Sequence, residues 1–80
     1  MPVPLPPGHD PEAIAIILFC RRRFTKRQVA QRVKDWGYNP KNILEGPAFW
    51  RLVLKEVPPR AKDVNLMRLE EGIYALEVHV

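Results

Sequence analysis

Residues 13–36 read AIAIILFCRRRFTKRQVAQRVKDW, and the change of pattern midway through this stretch decides the fold. Ala13 to Phe19 is an unbroken, branched apolar run bounded by Pro11 and by arginines, which predicts a strand buried on both faces or nearly so. At Thr25 the pattern changes. Thr25 and Gln28 have the spacing of a capping box, in which each side chain satisfies the other's free backbone N–H. Phe24 just before the cap and Val29 at the fourth helical position are placed for a hydrophobic staple. Val29, Val33 and Trp36 then recur at i, i+4 and i+7 with Ala30 beside them, which makes one apolar stripe. Gly37 suits a left-handed cap, with Tyr38 folding back on Val33. The predicted helix is Lys26 to Trp36.

Upstream, residues 1–11 (MPVPLPPGHDP) hold five of the nine prolines. Each fixes φ near −65° and removes a backbone donor, so an extended arm is expected. Pro4 and Pro7 have the PxxP spacing that aromatic-lined grooves recognise, but no basic residue flanks it at ligand spacing. Downstream, Asn39, Pro40, Asn42, Gly46 and Pro47 mark residues 38–47 as a loop with Ile43 and Leu44 tucked inward. Ala48 to Val57 (AFWRLVLKEV) reads as a largely apolar strand stopped by Pro58 and Pro59. Asn65–Leu69 is a short candidate strand, and Glu70-Glu71-Gly72 is a turn. In Ile73 to Val80, Tyr74, Leu76, Val78 and Val80 share one face, while Ala75, Glu77 and His79 share the other.

The expected fold is therefore α+β: a two-layer sandwich of one helix on a three- to four-stranded sheet, in the order β-α-β-(β)-β. Residues 1–11 form the arm and 12–80 a single domain. A helix that joins two strands is expected to cross one sheet face as a right-handed crossover.

Eighty residues with 46% apolar and 28% charged side chains make one ordinary globular domain. A chain of this size buries only about 60% of its unfolded surface, which disfavours a deep catalytic cleft. No apolar run approaches the roughly 20 residues of a membrane span, and no secretory leader pattern is present, so a soluble cytoplasmic protein is expected. Cys20 is the single cysteine; it fits a reducing compartment and reads as a small core hydrophobe despite the arginines beside it.

Catalysis is poorly supplied. The chain has no serine, its one threonine is the helix cap, and its two histidines at positions 9 and 79 match no ligand spacing with Cys20. Glu70 and Glu71 read as solvated turn residues, and no glycine-rich phosphate loop occurs. The expectation is a non-enzyme with no cofactor and no metal.

What remains is charge. The net charge is +4, and Arg21, Arg22, Arg23, Lys26, Arg27, Arg32 and Lys34 cluster where the strand hands over to the helix, with no carboxylate before Asp35. Such a corner can neutralise phosphates, and interleaved aromatics can stack on bases. Those seven residues, with Tyr38 and Arg51 in second rank, are the candidate contact surface for nucleic acid. An acidic protein surface is the other candidate partner, and a homodimer through a strand edge is a third possibility because apolar strands in a small protein invite edge pairing.

From Ile16 to His79 the chain resembles a small domain encoded by bacteriophages and prophages, found near or fused with head-maturation protease genes. The resemblance lies in an apolar strand, in FTKRQVAQRVKDWGYNP, in AFWRLVLKEV and in EEGIYALEV. Arg21 to Arg23 and the proline arm depart from it. It implies no catalytic residues. It implies a phage-type accessory protein in the host cytoplasm: a nucleic-acid-associated factor, a small inhibitor or adaptor docking on a host enzyme such as RNA polymerase or a defence nuclease, or a structural virion or assembly component.

Overall fold

The computed structural model describes residues 5, 7–57 and 63–79. It is an α+β fold in which one helix packs on a five-stranded antiparallel sheet. The strands are β1 (Ile14–Cys20), β2 (Ile43–Glu45), β3 (Phe49–Val53), β4 (Asp63–Glu70) and β5 (Ile73–His79), and the helix α1 (Lys26–Asp35) follows β1. Their order across the sheet is β2-β3-β1-β5-β4.

The apolar run becomes the central strand, paired with β3 on one side and β5 on the other. Its burial alternates rather than being complete on both faces. Ala15, Ile17 and Phe19 are fully buried beneath the helix, whereas Ile16, Leu18 and Cys20 on the opposite face are half-buried. The physical reason is that the fold has one helical layer, and among the described residues no helix lies against the second face. Cys20 accordingly sits half-buried on that open face rather than in the core.

Helix α1 begins and ends as its local sequence dictates. Thr25 Oγ1 accepts from the Gln28 N–H at 3.2 Å, and Gln28 Oε1 accepts from the Thr25 N–H at 2.8 Å. At the other end Gly37 has φ +89°. The Tyr38 N–H bonds to the Val33 carbonyl and the Gly37 N–H to the Lys34 carbonyl, both at 3.0 Å, which satisfies carbonyls the helix end would otherwise orphan. Trp36 is the cap residue rather than the last helical one. Val29, Val33 and Trp36 face the sheet, where the Trp36 ring stacks on Phe19 at 5.7 Å and Phe24 meets Phe19 edge-on at 5.7 Å. Burial of each such side chain contributes about 1.5–3 kcal/mol relative to exposure.

Two expectations about strands are corrected. The sheet has five strands rather than three or four, because Ile43–Glu45, read as loop, forms a short edge strand on β3. A three-residue strand is too brief to announce itself by alternation. Only Ile43 packs towards the core; Leu44 pairs opposite Arg51 on the open face and is 48% exposed. In addition, the helix leads from β1 to β2 with β3 inserted between them, so the two parallel strands of the crossover are not neighbours.

The described part of the N-terminal segment lies against the domain. Leu5 packs on the core cluster, Pro11–Ala13 form a turn of 3-10 helix capped by Asp10, and His9 reaches Glu77. The expected PxxP pair falls partly outside the described residues, since Pro4 is not among them. Lys55 Nζ donates to the Glu12 carbonyl, tying the end of β3 to the same segment.

Candidate nucleic-acid interface

The basic corner is built by a three-residue turn. Backbone hydrogen bonds run from the Arg23 and Phe24 N–H groups back to the Cys20 carbonyl, at 3.1 and 3.0 Å, while the Cys20 N–H reaches the Gly72 carbonyl and the Arg21 N–H the Ala48 carbonyl. The turn is thus gripped from both sides by the hairpins that flank β1, and the arginines leave it in different directions.

Three of the seven clustered cations are engaged within the molecule. Arg21 pairs with Glu45 at 3.1 Å, donates to the Gly46 carbonyl at 2.6 Å, and lays its guanidinium 4.7 Å from the centre of the Trp50 ring. Arg23 pairs with Glu71 at 2.7 Å. Arg32 holds both oxygens of Glu70, at 3.1 and 3.2 Å, beside the Trp36 ring. Glu70 and Glu71, read as solvated turn residues, are partners of the basic cluster. Arg21 and Arg23 thus join the turn after β1 to the β2–β3 and β4–β5 hairpins, and Arg32 joins the helix to the end of β4.

The other four, Arg22, Lys26, Arg27 and Lys34, are exposed and make no ion pair among the described residues. They project from the turn and from the outward face of α1. Tyr38 is half-buried with its ring against the core, which leaves it little face for a ligand. Arg51 is exposed, but on the open face of the sheet, away from the helix and its cations.

That open face has its own composition. In register across the five strands lie Leu44, Arg51, Leu18, Tyr74 and Arg68. Phe49, opposite Cys20, meets Tyr74 edge-to-face with ring centres 6.1 Å apart. Towards the far end the face becomes aliphatic, with Val53, Ile16, Leu76 and Leu66 in one row, and Leu66 is 59% exposed. Phe49, Tyr74 and Arg68 were not legible as a group from sequence. Their alternation is visible strand by strand, but only the register shows that they share a surface.

No family model, curated protein or solved structure matches this chain. Its surfaces must therefore be read from their own chemistry. Among the described residues no group of three or more His, Cys, Asp or Glu side chains could hold a metal ion, and no helix is long and apolar enough to cross a membrane.

Proposed function

We propose that this protein is a non-catalytic accessory factor that binds nucleic acid through Arg22, Lys26, Arg27 and Lys34, in the host cytoplasm and in the phage-type role its sequence resemblance implies. The observation that carries the reading is that these four cations stand exposed on one turn and helix with no ion pair among the described residues, while Arg21, Arg23 and Arg32 are already paired with Glu45, Glu71 and Glu70. A cation with no internal partner gives up little to contact a phosphate, and each contact releases counterions. Four contacts correspond to a slope of log affinity against log salt of roughly −3 to −4.

Anisotropy titrations of labelled DNA and RNA at several salt concentrations test this reading. In the Arg22→Ala/Arg27→Ala variant, affinity should fall by a similar factor for unrelated sequences, and the slope should flatten by about 2. Unchanged affinity, or no salt-dependent binding by the parent protein, overturns it.

A second reading has one observation in its favour. The aliphatic end of the open face, where Leu66 and Val64 on β4 are more than half exposed, suits a small inhibitor or adaptor docking on a host nucleic-acid-handling enzyme, since apolar patches on small proteins mark interaction sites. Binding to such an enzyme but to no nucleic acid would select it.

A further inference from the structure

We infer that the open face of the sheet is a stacking platform for unpaired bases, so that the nucleic acid this protein prefers is single-stranded. The inference rests on the nucleic-acid reading above and adds a second surface to it.

Charge complementarity is the first argument. Among the strand side chains the structure describes, the only charged groups on the open face are Arg51 and Arg68. The described strand carboxylate side chains fall on the other side: Glu45 is in register with Trp50, Glu70 with Ile73 and Glu77 with Ile14, all core residues. A face with two cations and no carboxylate is matched by a polyanion. A second copy of this chain placed face to face would bring two more arginines and no described strand carboxylate to meet them.

Geometry is the second. Arg51, Leu18, Tyr74 and Arg68 lie in one cross-strand row, three strand spacings or about 14 Å from end to end. Tyr74 thus lies between two exposed arginines, and the perpendicular Phe49 ring stands diagonally beside it across β1, both rings half-buried on the face away from α1. Aromatic rings on an open antiparallel sheet stack bases of any identity, and the bases of a duplex are not free to reach them.

Continuity is the third. Phe49 follows Ala48, whose carbonyl accepts from the Arg21 N–H, and Phe49 pairs with Cys20, the residue before the basic turn. Arg22, exposed and without an ion pair among the described residues, stands in that turn. A strand laid across Tyr74 and Phe49 would leave the face beside the turn that carries Arg22, while Lys26, Arg27 and Lys34 lie on the helix side of the sheet.

The test compares an unstructured oligonucleotide with a hairpin duplex of equal charge, using the full chain and the variants Phe49→Leu and Tyr74→Leu, which keep apolar bulk and remove the ring. Each substitution should weaken single-strand binding by roughly tenfold while leaving duplex binding unchanged. Photo-crosslinking of the parent protein to an oligonucleotide carrying 5-iodouracil should modify peptides that contain Phe49 or Tyr74, and this readout does not depend on any variant folding. Equal loss for both nucleic acids, unchanged single-strand affinity, or crosslinks confined to α1 overturns the platform while leaving the basic corner intact. No nucleic-acid binding by the parent protein overturns both. Sedimentation should show a monomer; a dimer abolished by Leu66→Lys would mean that a second copy occupies the face.

Discussion

His9 Nδ1 lies 2.8 Å from Glu77 Oε2, joining the N-terminal segment to the last strand across 68 positions of sequence. Glu77 is only 4% exposed, so its carboxylate depends on partners that the fold supplies. Removing one partner of a buried charged group costs about 1–3 kcal/mol. His9→Ala should therefore lower the melting temperature measurably, and Glu77→Gln should lower the cost of a second substitution at His9. An unaltered melting curve for His9→Ala would mean that the N-terminal segment does not stabilise the domain.

The capping box makes a separate and local prediction. Thr25 Oγ1 accepts the Gln28 N–H, and its loss leaves a helix donor without its partner. Thr25→Ala should cost about 1 kcal/mol in denaturant unfolding, and Thr25→Ser much less. Equal stability of the alanine and parent proteins would place the helix start elsewhere.

Gly37 and Gly72 both have positive φ, at +89° and +82°, but their surroundings differ. A Cβ on Gly37 would meet nothing within 4 Å, whereas one on Gly72 would lie 2.7 Å from Arg23 Cδ and 3.1 Å from the Phe24 ring. Gly37→Ala should cost about 1 kcal/mol, the strain of a left-handed alanine alone. Gly72→Ala should cost more, because the ring of Phe24 is held by the core. Ranking the two by thermal unfolding checks this order.

The arginines should divide into two classes. Arg21 holds Glu45, the Gly46 carbonyl and the Trp50 face at once, and its replacement by alanine should cost roughly 1 kcal/mol of stability. Arg22 and Arg27 have no such contacts, so their replacement should leave stability within about 0.5 kcal/mol. Parallel melting and salt-titration series on these variants should show stability and nucleic-acid affinity failing at different residues. Both falling together at Arg22 and Arg27 would remove the distinction.

The features legible in the sequence were those whose signal fits within a turn or a strand: the capping box at Thr25 and Gln28, the left-handed cap at Gly37, the stripe of Val29, Val33 and Trp36, and the alternation of the last strand. Each is fixed by contacts between residues a few positions apart, so local spacing suffices to specify them. Sequence also showed that the cations cluster, because clustering is a property of the chain.

Which cations remain free was decided only by tertiary structure. Arg21, Arg23 and Arg32 find their carboxylates 24, 48 and 38 positions away, and no local pattern encodes which turn of the sheet comes to lie beside them. The same holds for the sheet's two faces. Alternation assigns Tyr74 and Leu76 to one side and Ala75 and Glu77 to the other, but either side could have met the helix. The register of β5 on β1, set by packing Ile73 and Ala75 beneath α1, is what leaves Phe49, Tyr74, Arg51 and Arg68 together on the face that α1 does not cover.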